Sequence, residues 1–169
     1  VVGMRGRAEE LFLGIEARYD RVRNGVQQSA NRPKVTFNLP YQDVWYMPAN
    51  SSYIVRLLQD AGGDYIYDNE SNSSVGISLE EAVELVSQSD IWLNPGQCIT
   101  LDELRATVPI FAGMDVVKRG DVYNNNRRRS EGGGSDFWES AIVRPDVVLA
   151  DMVKIMQRGD DMYYYQKLK

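Results

Sequence analysis

The spacing of apolar and polar positions predicts a chain in which helices and strands alternate. From about Arg5 to Arg23, Ala8, Leu11, Phe12, Ile15, Tyr19 and Val22 recur at spacings of three and four, with Glu9, Glu10, Glu16, Arg18, Asp20, Arg21 and Arg23 between them. That period predicts one amphipathic helix, which Asn24-Gly25 ends. Asn31-Arg32-Pro33 breaks the chain. Lys34 to Leu39 then alternates as a strand, with Val35, Phe37 and Leu39 on one face. Pro40 to Pro48 reads as a loop carrying Tyr41, Trp45, Tyr46 and Met47. A helix through Tyr53, Ile54, Leu57 and Leu58 stops at Gly62-Gly63, and Asp64 to Asp68 is a short extended piece. Asn69 to Gly76 is polar and loop-like. Ser78-Leu79-Glu80-Glu81 has the form of a capping box and opens a helix that frays near Ser87. Asp90 to Asn94 reads as a buried strand ended by Pro95-Gly96, and Thr100 caps a short helix from Leu101 to Ala106. Pro109-Ile110-Phe111 reads as an edge strand. Lys118 to Asp121 is a turn into the last strand at Val122-Tyr123, followed by a long polar loop from Asn124 through the glycines. Pro145 starts the final helix, with Val148, Met152, Ile155 and Met156 on one face, and Met162 to Tyr165 forms a terminal strand or ordered tail.

Strands separated by helices of about ten residues imply an α/β fold around a small, mainly parallel sheet of roughly four strands. In such sheets ligands bind beyond the carboxyl ends of the strands. That rule singles out the aromatic loop with Trp45 and Tyr46, and Asn94 at the next strand end.

Composition narrows the chemistry. A net charge of -5 argues against a nucleic-acid partner, and Arg127-Arg128-Arg129 is too short a run to reverse that. The chain has no histidine, which removes the commonest general base and the commonest transition-metal ligand. Cys98 is the single cysteine, so no internal disulfide can form. No stretch reaches the roughly 18 apolar residues needed to span a bilayer. Val1-Val2-Gly3-Met4-Arg5 does not read as a natural start, and the expectation is a piece of something longer.

The densest chemistry lies at Gly132-Gly133-Gly134-Ser135-Asp136-Phe137-Trp138-Glu139-Ser140. Glycines without Cβ restraint lead into two large aromatics flanked by carboxylates. One reading places Phe137 and Trp138 on the wall of a ligand cleft. Another makes the aromatic loops the binding face of a protein-interaction module. A third pairs Asp136 with Glu139 for hydrolysis, although nothing else in the chain supports a reaction.

The order of features resembles the C-terminal lobe of the substrate-binding proteins of ABC importers, in the class that carries vitamin B12, ferric siderophores and haem. The resemblance rests on Arg32-Pro33-Lys34-Val35, on Leu57 to Gly63 ending Ala-Gly-Gly, on Ser78-Leu79-Glu80 followed by Ser89-Asp90-Ile91-Trp92, and on Lys118 to Tyr123. A Ser stands at position 89 where Pro is usual. The resemblance implies a three-layer Rossmann-like lobe over residues 32–169, with residues 1–25 as the end of a long inter-lobe helix and the N-terminal lobe absent from this chain. It implies a non-enzymatic solute-binding component, periplasmic or a surface-anchored lipoprotein, monomeric when full length. It further implies no cofactor, and the capture of a cobalamin, ferric siderophore or haem between two lobes. Trp45, Tyr46, Asn94, Arg127, Phe137 and Trp138 would line the ligand, and Glu139 would dock on arginines of the membrane permease.

Overall fold

The computed structural model describes residues 3–26 and 32–169, so Val1, Val2 and residues 27–31, with Asn31 of the expected chain break among them, lie outside the described residues. At its centre are three parallel strands, β1 (Lys34–Phe37), β5 (Ile91–Leu93) and β6 (Val122–Asn124). Two short strands complete the sheet: β3 (Asp64–Tyr65) lies parallel beside β1, and β7 (Gln166–Lys167) runs antiparallel beside β6. The order is therefore β3-β1-β5-β6-β7, with Val35 opposite Ile91 and Leu93 opposite Tyr123.

The alternation read in β1 does not produce a wet face. Thr36 is as buried as Val35 and Phe37, and β5 and β6 are buried throughout. The cause is the helical cover on both faces that a parallel sheet acquires from its crossovers. The helix α1 (Arg5–Asn24) and α2 (Tyr53–Asp60) pack on α7 (Pro145–Met156). A second group joins α3 (Leu79–Ser87), α4 (Leu101–Thr107), α5 (Asp115–Lys118) and a 3₁₀ turn at Pro109–Phe111. This is the mainly parallel α/β lobe that the pattern predicts.

At two helices the cap side chain acts as read; among the described residues the glutamate's return bond is present at the second and not from Glu81 at the first. Ser78 Oγ accepts from the Glu81 N–H, and Thr100 Oγ1 accepts from the Glu103 N–H. Glu103 Oε2 in turn accepts from the Ile99 N–H at 2.7 Å. Gly63 is fixed by packing: a Cβ there would meet Leu58 and lie 2.8 Å from Met156 Sδ, the contact that seats α2 against α7.

Three expectations are corrected. The stretch between Pro40 and Pro48 is not all loop: Val44–Met47 forms β2, antiparallel to β4 (Val75–Ser78), in a separate two-stranded sheet. Its aromatic and β-branched residues suit a strand, and Gly76 leaves room opposite, since a Cβ there would lie 2.9 Å from Val44 Cγ1. Pro109–Phe111 is a 3₁₀ turn rather than an edge strand, closed by the Phe111 N–H on Val108 O. The tail past Met162 supplies the edge instead, one residue later than the tyrosine run, as β7.

Candidate functional site

Each central strand ends in an asparagine: Asn38 after β1, Asn94 after β5, and Asn124 as the last residue of β6. Asn38 and Asn94 have φ of 68° and 58°, a region that asparagine tolerates better than most residues. The turns they make bring the strand ends together. Asn38 Nδ2 donates to Tyr46 O at 3.1 Å, and Asn38 O accepts from Trp92 Nε1 at 2.7 Å. The polar stretch after β6 is not solvated at its start, because Asn124, Asn125 and Asn126 are buried. Asn124 Nδ2 donates to Gly96 O and Cys98 O, Asn126 Nδ2 also donates to Cys98 O, and Asn126 Oδ1 accepts from Gln166 Nε2. These bonds pin the β5–α4 connection to the end of β6. The sequence reading missed their role; the recurrence of Asn after each hydrophobic strand was the available signal.

The six residues singled out for the ligand separate into two sets. Trp45 belongs to the core, not to a cleft wall: it is 1% exposed, its Nε1 donates to Phe37 O at 2.8 Å, and its ring packs on Trp92 and Phe111 at 5.4 and 5.3 Å. The strand period sends its neighbour Tyr46 the other way, 52% exposed. Phe137 is also core, meeting Tyr164 and Tyr165 edge-on at 5.7 and 5.8 Å. Trp138 stands 72% exposed, its ring edge-on to that of Phe137 at 5.3 Å. Asn94 is part-exposed, but its Oδ1 is buried, and neither that atom nor the buried Tyr165 hydroxyl has a hydrogen-bond partner among the described residues. Burial raises the Tyr165 phenol above its ordinary range, which keeps it neutral.

Arg127 turns to the segment after α7, donating to Met162 O and lying 3.4 Å from Asp161 Oδ1. It therefore ties two loops together. Arg128 Nε donates to Asp136 Oδ2 at 3.0 Å, and its guanidinium sits 4.4 Å from the Tyr163 ring centre, with that of Arg144 at 4.6 Å. The Arg128 bond, with Ser140, holds the Asp136 carboxyl below the usual carboxylate range. Asp136 makes no side-chain cap on the short helix α6 (Phe137–Ser140). Its carboxylate pairs with Arg128, while Glu139, the other member of the pair considered for hydrolysis, stands exposed.

The glycine run forms an exposed turn closed by the Ser130 N–H on Gly134 O and the Gly133 N–H on Ser130 O. Gly133 has φ of 83°, which explains a glycine there. The turn returns the chain to α6, where Ser135 Oγ donates to Asn125 O. Glu139 is exposed, and Ile142 and Val143 follow it at 78% and 63% exposure. With Trp138 they make an apolar surface around one carboxylate. Beneath it, Asp151 accepts from the backbone N–H groups of Tyr163, Tyr164 and Tyr165. Burial raises the Asp151 carboxyl above its ordinary range against the pull of those three bonds. Among the described residues no group of His, Cys, Asp and Glu is placed to hold a metal ion.

Similarity to solved structures follows the same architecture. An ABC transporter substrate-binding protein from Listeria monocytogenes EGD-e matches at 21% identity with a TM-score of 0.62, over 88% of this chain and 56% of that one. The TroA-like periplasmic binding protein FepB from Veillonella parvula matches at 15% identity with a TM-score of 0.65, over 99% and 58%. The triscatecholate siderophore binding protein FeuA from Bacillus subtilis, complexed with ferri-bacillibactin, matches at 16% identity with a TM-score of 0.61, over 93% and 56%. This chain thus spans little more than half the length of each of these structures. No curated protein is close enough in sequence to match it. The family model described as periplasmic binding protein matches residues 1–126, from α1 through the asparagines that close the strand ends, and the chain belongs to that family.

Proposed function

We propose that the protein containing this chain is the solute-binding component of an ABC importer, and that this chain supplies one side of the ligand cleft. The observation that carries the reading is the family match across residues 1–126, which takes in all three central strand ends. The cargo is a large chelate. A ferric siderophore is favoured over cobalamin or haem, because FeuA is described as binding a triscatecholate siderophore. Tyr46 and Trp138 are the exposed aromatics available to such a ligand, with Asn94 at the strand end. Residues 1–25 act as the end of an inter-lobe helix and residues 32–169 as the C-terminal ligand-binding lobe. The exposure of Met4, just before α1, and of Leu11, Phe12 and Leu13 within it supports that division, since this lobe leaves those apolar side chains uncovered. The protein works outside the cytoplasm, anchored as a lipoprotein or free in the periplasm.

Glu139 serves as the docking contact for the permease, with Trp138, Ile142 and Val143 as its apolar surround. An exposed carboxylate steers and registers such a contact while adding little affinity. The test is titration of the full-length protein with a ferric triscatecholate, cobalamin and haem, followed by intrinsic tryptophan fluorescence. Saturable binding of one chelate is expected, weakened about tenfold by Trp138→Ala through loss of an aromatic anchor. Binding of none of the three sinks the chelate reading. Glu139→Ala should keep chelate affinity and slow uptake in cells; wild-type uptake would remove the docking role.

A further inference from the structure

A second concavity, a groove of about 850 Å³, lies between the C-terminal half of α1, α7, the arginine run that follows the end of β6 and the segment at 161–163. Tyr46, Asn94 and Trp138 take no part in it. Its walls carry six cationic side chains, Arg18, Arg21, Arg127, Arg128, Arg129 and Lys154, on a chain whose net charge is -5. Three carboxylates also face it, and each is engaged. Asp146 pairs with Arg18 at 2.6 Å, Asp161 with Arg127 at 3.4 Å, and Asp151 with three backbone N–H groups. Arg128 is committed to Asp136. Among the described residues, Arg21, Arg129 and Lys154 have no carboxylate partner within 4.0 Å. They come from three separate segments, α1, the arginine run and α7; Lys154 Nζ donates to Asp161 O at 2.7 Å and Arg129 reaches Gln97 O at 3.5 Å, bonds to neutral carbonyls that leave the positive charge unneutralised.

We propose that this groove binds a compact, multiply charged phosphate ligand, independently of the strand-end site. Tyr163 is the one aromatic among the described residues lining it, and the guanidiniums of Arg128 and Arg144 already occupy its ring. Recognition there is therefore by charge and not by stacking. Guanidinium forks and an ammonium on three segments match a ligand that presents several oxyanion groups at once. The concentration of positive charge in a concave surface strengthens the field that such a ligand meets. Phosphate of this kind has two sources, a free oligophosphate or the headgroups of an anionic membrane.

The full-length protein would be titrated with sodium tripolyphosphate by calorimetry, and sedimented with phosphatidylglycerol and with phosphatidylcholine vesicles. The expected result is binding at about 0.15 M salt, reduced about tenfold or more by the double variant Arg21→Gln/Lys154→Gln. Chelate titration on the same variant should be unchanged. Vesicle binding without tripolyphosphate binding, lost in the double variant, assigns the phosphate to a membrane surface and supports the groove. Equal binding by wild type and variant overturns the proposal, as does binding of neither probe at that salt. Joint loss of chelate and tripolyphosphate binding would make the groove part of the cargo site and overturn its independence. Failure of the chelate titration in both proteins bears only on the importer reading.

Discussion

Two pairs of adjacent aromatics, Trp45-Tyr46 and Phe137-Trp138, have opposite outcomes. In the first the tryptophan is buried and the tyrosine exposed; in the second the tryptophan is the exposed member. In β2 the alternation of a strand sends neighbours to opposite faces, and pairing of Trp45 with Ile77 decides which face is the core. In α6 a single turn rotates Phe137 onto Tyr164 and Tyr165 and leaves Trp138 outside. An aromatic pair therefore marks a boundary between core and surface, and the larger ring is not always the buried one.

The sharpest way to break this comparison is to truncate both tryptophans. Trp45→Ala should cost about 3–5 kcal/mol in urea unfolding, as for large core aromatics. Next in size, Asp151→Ala should cost about 2–4 kcal/mol, because three backbone N–H groups lose their acceptor in a buried site. Its failure to destabilise would mean that the tail under α6, and with it the seating of Phe137, does not depend on that cap.

A smaller effect is expected at Asp121, which anchors the β6–β7 edge. It meets Arg119 at 3.1 Å, Arg158 at 3.5 Å and Lys167 at 3.4 Å. Burial opposes its ionisation, but the Arg119 hydrogen bond and the charges of Arg158 and Lys167 outweigh burial and lower the carboxyl below its ordinary value. A depressed folded-state pKa contributes stability that is present above the ordinary carboxylate range and is lost as pH falls through the folded value. Unfolding midpoints should drop below about pH 4, and Asp121→Asn should flatten that drop while costing about 1–3 kcal/mol near neutrality. The smallest effect belongs to Trp138→Ala, within about 0.5 kcal/mol of wild type in stability. A loss comparable to that of Trp45→Ala would place Trp138 in the core and sink its proposed place on the ligand wall.

The α/β order, the long first helix, the two capping motifs and the Pro-led final helix were legible in the sequence. Each rests on contacts within a few residues: a helical stripe, Ser78 with Glu81, Thr100 with Glu103, and Pro145 at a first turn. Of the candidate site, Tyr46 and Trp138 are exposed, while Trp45 and Phe137 are buried in the core. Nothing local distinguishes an aromatic that will find a core partner some fifty residues away from one that will not, as Trp45 does with Trp92.

The chain's residue types by themselves ruled out histidine chemistry and internal disulfides, and its periodicities settled the type of most elements, because both are properties of composition or of near neighbours. Only the tertiary structure decided that three asparagines would be buried, that Asp136 would pair with Arg128, and that the arginine run would line a groove with α1 and α7. Those outcomes depend on which distant backbone carbonyls, carboxylates and helices the fold brings within a few ångströms, and that is fixed by sheet order and helix packing.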